Sequence, residues 1–191
     1  MNPFFYSKKS IFSKVNMTVL AMFLVMGLWF WYMIWASILS HRTVLMEFVP
    51  EWMVYITTGA VIGLFFAGRT VYRRPVNKTP KYVLEMFFGG FCFGFICVLN
   101  IFDVYIYCFP DNLIRYESEY EVVFPGPSRG KSGHCEAGLW IKDPHTNRWL
   151  QLCTNKKELS YKRRQGMDRV WVTAKVNHIG SYIVEYEFVY H

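Results

Sequence analysis

No CxxC or HxxxH pair, no GxxxxGK and no HExxH occurs in the 191 residues. Those spacings gather thiols and imidazoles round zinc or cradle a phosphate, and the GxSxG of Gly126 to Gly130 opens no helix as a nucleophile elbow would, so the sequence nominates no catalytic residue, no metal ligand and no cofactor. His134, His145 and His178 lie in turn-rich stretches and read as solvated. The Gly126 to Gly133 stretch, with Ser128, Arg129, Lys131 and Ser132, superficially resembles an anion loop. It follows a strand pattern without opening a helix, so it reads as a hairpin connection. Acidic residues are missing from two places: none opposes Lys8, Lys9 and Lys14, and none opposes Arg69, Arg73, Arg74, Lys78 and Lys81. After Phe109 twelve Lys or Arg face ten Asp or Glu, so the net charge of +7 comes mainly from those two basic stretches. It reads as a membrane-orientation signal, with no nucleic-acid partner implied.

What the chain has in quantity is apolar surface, 53% hydrophobic and 19% aromatic. Three runs, Met17 to Leu39, Trp52 to Gly68 and Tyr82 to Phe109, approach or exceed the ~18 to 20 apolar residues that cross a bilayer. They predict three transmembrane helices in residues 17–109, after a cytoplasmic segment 1–16 and before an exported domain 110–191. The basic residues put the N-terminus and the second loop in the cytoplasm and the C-terminal domain on the opposite side. Trp29, Trp31, Tyr32, Trp35, Trp52, Tyr55, Tyr105 and Tyr107 would form an aromatic belt on the exported side. The first run is longer than a signal-peptide core and no small-x-small cleavage site follows it, so the helix is expected to be retained.

Within the runs, Gly59, Gly63 and Ala67 on the second helix and Gly90 and Gly94 on the third recur at four-residue spacing. Small residues one turn apart let backbones approach, so these faces are expected to pack on each other or on another subunit of a homo-oligomer. Glu85 and Asp103 are expected at headgroup depth on opposite sides, solvated at the interface and forming no ion relay.

The exported domain reads as antiparallel β: Tyr116 to Phe124, Cys135 to Lys142, Arg148 to Thr154, Arg169 to Val176 and Ser181 to Tyr190, joined by Gly, Pro, Asn and Asp turns. Five short strands imply a small SH3-like or OB-like barrel or rolled sheet. Cys135 and Cys153 are equidistant from Pro144, so a hairpin turning there sets them face to face for a disulfide, with Cys108 as a competing partner. The connector Asn155 to Asp168 concentrates Lys156, Lys157, Lys162, Arg163 and Arg164, and Trp140, Trp149 and Trp171 exceed what so small a core needs. Aromatics and arginines of this kind anchor protein interfaces, and the basic connector would suit an acidic protein or anionic lipid headgroups.

The sequons beginning at Asn16 and Asn77 fall on the cytoplasmic side and the exported domain has none, which favours a bacterial inner membrane with a periplasmic domain. The plan, a small polytopic chain with an exported domain and no catalytic motif, resembles that of membrane immunity proteins against pore-forming toxins. The resemblance implies a non-enzymatic protein that neutralises a membrane-active toxin or secretion-system effector by direct binding. Two other roles fit the same plan: an exclusion protein that blocks an incoming conjugation apparatus, and a structural or assembly subunit of an envelope complex.

Overall fold

A computed structural model describes residues 4–73, 80–128 and 133–190, with side chains from residue 17 onward. Arg74, Asn77, Lys78, Arg129, Gly130, Lys131 and Ser132, and the side chains of Lys8, Lys9, Lys14 and Asn16, lie outside the described residues. The chain divides into two compact units, Met1–Ile38 and Leu39–His191.

The first unit is a single long helix, α1 (Phe4–Ser40). Its stretch from Met17 to Ser40 is 24 residues long and apolar on every face. The second unit opens with β1 (Thr43–Leu45), followed by α2 (Glu51–Arg73), α3 (Pro80–Val98) and α4 (Ile101–Cys108). Glu51–Arg73 and Pro80–Cys108 join Met17–Ser40 as three segments long and apolar enough to cross a membrane.

α2 and α3 pack through their glycines. A β-carbon on Gly63 would lie 2.8 Å from the Phe87 carbonyl, and one on Gly90 would lie 3.0 Å from the Gly63 Cα. Gly59 meets Phe91 and Gly94 meets Ile62 one turn away, so a side chain at any of the four would push the helices apart. Ala67, a further turn along, is half-buried.

The third apolar run is not one helix. Asn100 has φ of 60°, in the left-handed region, and Leu99 N–H reaches back only to the Ile96 carbonyl at 3.2 Å. Asn tolerates this conformation better than most residues, and α4 restarts with Val104 N–H bonded to the Asn100 carbonyl at 3.1 Å. The expected solvation of Asp103 is not what is found: its side chain is buried, within hydrogen-bonding reach of the Thr43 hydroxyl. Glu85 is exposed and lies 4.0 Å from Lys81.

The remainder is one antiparallel sheet of six strands in the order β1-β6-β5-β2-β3-β4, with β2 (Asn112–Val123), β3 (Ala137–Asp143), β4 (Arg148–Thr154), β5 (Arg169–Asn177) and β6 (Gly180–Val189). A short helix, α5 (Lys156–Lys162), links β4 to β5. The sheet curls into a near-barrel, because the edge strands approach until the Arg148 guanidinium donates to the Leu45 carbonyl at 3.0 Å. A register shift at Thr173/Ala174 adds curvature. β1 comes from the connector between α1 and α2, so the sheet is not confined to residues 110–191. Gly180 is the seat of that strand: a side chain there would run into the Val44 carbonyl and the Ile106 side chain.

Alternation places the core. On β5, Val170, Val172, Ala174 and Val176 are buried, while Arg169, Trp171, Thr173 and Lys175 face outward. Leu139, Ile141, Leu152, Ile183 and Phe188 join them inside, with Leu159 of α5 and Met167 closing one end. The other end rests on α4: Ile106 is fully buried, the Tyr107 and Tyr182 rings meet edge-on at 5.0 Å, and the Asn177 amide donates to the Phe109 carbonyl at 3.2 Å.

Cys135 and Cys153 form a disulfide with Cα atoms 5.7 Å apart, but not by facing each other in a hairpin. The β3–β4 ladder pairs Cys153 with Gly138, and Cys135 precedes the ladder. Instead Cys135 exchanges backbone bonds with Gly126 and Pro127, whose segment folds over Gly138 and brings the thiol back to its partner.

Candidate functional site

The end of the barrel farthest from α4 is built by α5. Asn155 caps the helix by accepting from Glu158 N–H at 2.6 Å, and the Glu136 carboxylate accepts from Lys156 N–H at 3.1 Å. Leu159 sinks into the core and fixes which face points out. The basic connector is therefore a capped helix and its exit, not a free loop.

Its cations are individually positioned. Lys162 pairs with Glu158 at 2.7 Å and lies over the Tyr186 ring, and its pKa is raised chiefly by the hydrogen bond to that carboxylate. The Lys156 ammonium stands 5.7 Å from the Phe124 ring centroid. Arg163 stacks 5.3 Å from the Tyr120 ring, and its Nε donates to the Tyr120 hydroxyl at 2.8 Å. Lys157 and Arg164 are exposed. Among the described residues none of Lys156, Lys157, Arg163 and Arg164 is in an ion pair. Phe124, Lys156, Leu159, Ser160 and Arg163 surround an open cleft of about 460 Å³.

The three tryptophans stand elsewhere, on the outer wall. Trp140 lies opposite Glu121 and Gln151, Trp149 opposite Lys142, and Trp171 opposite Glu117 and Glu187. None belongs to the buried core. The Arg115 guanidinium lies 5.3 Å over Trp171 and pairs with Glu187 at 3.1 Å, while Arg169 holds Glu119 at 3.3 Å. The sequence-nominated residues thus form two groups, Lys156, Lys157, Lys162, Arg163 and Arg164 at the distal end and Trp140, Trp149 and Trp171 around the wall. Phe124, Leu159 and Ser160, which complete the distal cleft, were not nominated. Phe124 carried a signal, an aromatic ending a strand just before Pro125, and the other two became legible only with α5.

At the opposite end Ser40, Thr43, Glu51, Asn100, Asp103, Arg148 and Trp149 line a polar cleft of about 430 Å³ at the seam between β1 and β4. Inside the barrel above it, Asp143 is wholly buried and accepts from the hydroxyls of Tyr116, Thr146 and Ser181. Burial, then the Asp143 carboxylate, drive the Tyr116 pKa upward, so the phenol stays a donor. This network joins β2, the β3–β4 turn and β6, and its role is to close the barrel. Among the described residues no group of three or more His, Cys, Asp and Glu is placed to hold a metal ion. Comparison with family models, curated proteins and solved structures finds no match to this chain.

Proposed function

We propose that this is an integral protein of a bacterial inner membrane that neutralises a membrane-active toxin or secretion-system effector by binding it, without catalysing a reaction. In this reading α1, α2 and the α3–α4 segment cross the membrane, the N-terminus is cytoplasmic and the sheet lies in the periplasm. Basic residues on the flanks and a disulfide confined to the sheet support that orientation, since disulfides persist in oxidising compartments.

The observation that carries the binding role is the placement of large aromatics. The interior is filled by Val, Leu, Ile and Ala with a few aromatics, whereas Trp140, Trp149 and Trp171 stand outside among Arg and Glu side chains. Tryptophan and arginine are among the residues that most often carry the binding energy of a protein interface, and Arg115 lies over Trp171. Steric occlusion of a toxin needs such a surface and no chemistry. The test is a mixed culture of the host with a derivative lacking this gene. The derivative should be depleted by its parent and protected again by the full chain supplied in trans. Equal survival of the two strains would overturn the reading, and equal survival with increased uptake of conjugative plasmids would replace it by exclusion.

A further inference from the structure

The distal cleft has a shape and charge that select its occupant. Leu159, at 7% exposure, forms its floor, and Phe124, at 54%, stands as an apolar wall open to solvent. Lys156 and Arg163 rim it, each held over an aromatic ring and neither in an ion pair among the described residues. Lys157 and Arg164 extend the positive rim on the outside. Ring contacts of this kind bias where each cation stands without neutralising it, so its charge stays available to a carboxylate.

We propose that this cleft binds an acidic segment of the partner protein, with one apolar side chain entering between Phe124 and Leu159 and flanking carboxylates meeting Lys156 and Arg163. The proposal rests on the protein-binding reading above and names the partner's chemistry. Anionic lipid is the other ligand with complementary charge, and the fold argues against it. β2 leaves α4 and runs twelve residues before Phe124, roughly 40 Å at about 3.3 Å per residue. The cleft therefore sits at the end of the sheet remote from α4.

The experiment uses the full chain in phosphatidylcholine nanodiscs and a fluorescein-labelled synthetic peptide of glutamates and serines around a central phenylalanine, read by anisotropy. The peptide should bind with an affinity that falls as salt is raised. Replacing its phenylalanine by alanine, or its glutamates by lysines, should weaken binding at least about tenfold. Phe124→Ser should produce the same loss as the alanine peptide, and Lys156→Glu should produce the same loss as the lysine peptide. Both residues are exposed, so both variants should melt like the wild type. Undetectable binding, binding indifferent to either variant, or binding to phosphatidylglycerol vesicles in place of the peptide would overturn the assignment. Protection in mixed culture without peptide binding would remove the cleft and keep the function; peptide binding without protection would do the reverse.

Discussion

Replacing Asp143 by alanine should be among the most damaging single changes in the sheet. Its carboxylate has no solvent exposure and accepts from Tyr116 Oη at 2.9 Å, Thr146 N at 3.1 Å, Thr146 Oγ1 at 2.7 Å and Ser181 Oγ. The donors come from β2, the β3–β4 turn and β6, so one side chain ties strands from opposite parts of the barrel. Each buried donor left without an acceptor costs about 1–3 kcal/mol. Water entering the space and hydroxyls turning to other acceptors reduce the sum over these donors, so Asp143→Ala is expected to lose about 3–5 kcal/mol. Tyr116→Phe removes one bond and leaves the carboxylate its other donors, a loss of about 1–1.5 kcal/mol. At roughly 2–4 °C per kcal/mol for a chain of this size, the alanine variant should melt roughly 6–20 °C lower and the phenylalanine variant by a few degrees. Tryptophan fluorescence during heating of the purified full chain in detergent reads both. If Asp143→Ala melts no lower than Tyr116→Phe, the carboxylate is not the tie the geometry describes.

Three further outcomes follow from the same contacts. Valine at Gly63 or Gly90 should weaken the α2–α3 pair by about 1–3 kcal/mol through overpacking, whereas alanine at Gly68 or Gly89, where nothing lies within 4 Å of the added carbon, should be neutral or stabilising; thermal melts in detergent compare them. Tyr116 and Tyr182 both have pKa values raised first by burial. The folded state then holds protons that the unfolded state releases above about pH 10, so stability should be flat below that pH and fall above it by up to about 1.4 kcal/mol per pH unit per group. Tyr116→Phe should reduce the slope in alkaline denaturation, and an unchanged slope would contradict it. Cys135→Ser should lose about 3 kcal/mol by releasing the constraint on a loop of about this length, and reduction of the wild type should reproduce the shift in unfolding by urea.

The strands of the C-terminal part were legible because the barrel has one wet and one dry face. Val170, Val172 and Val176 alternate with Arg169, Trp171 and Lys175, and period two is a pattern that sequence shows directly. The glycine spacing on α2 and α3 was legible for a similar reason, since close approach requires small residues at one-turn intervals. Three features were not. β1 has only three residues and lies between two apolar helices, too short for any periodicity. The break at Asn100 rests on one residue's φ within an otherwise continuous apolar run. The disulfide was anticipated from a symmetry about Pro144, whereas the turn pairs Asp143 with Arg148 and the thiols meet because the Gly126–Pro127 segment doubles back.

β1 and α4 together decide which parts of the sheet remain free to meet a partner. β1 pairs Thr43, Val44 and Leu45 with Tyr182, Ser181 and Gly180 of β6, and α4 buries Ile106 beneath the same end. Both flank the helices in sequence, one preceding α2 and the other following α3, so this end of the barrel is tethered by two separate stretches of chain. A barrel joined to its helices by one linker would swing about it; two adjacent attachments at one end of a packed hairpin, where Tyr55 meets Phe95 and Phe102, restrict that swing. The distal cleft and the outer tryptophans are then held in a fixed direction relative to α2 and α3. If the barrel binds a partner as proposed, that restriction helps, because orientational freedom lost before binding is not lost again during it.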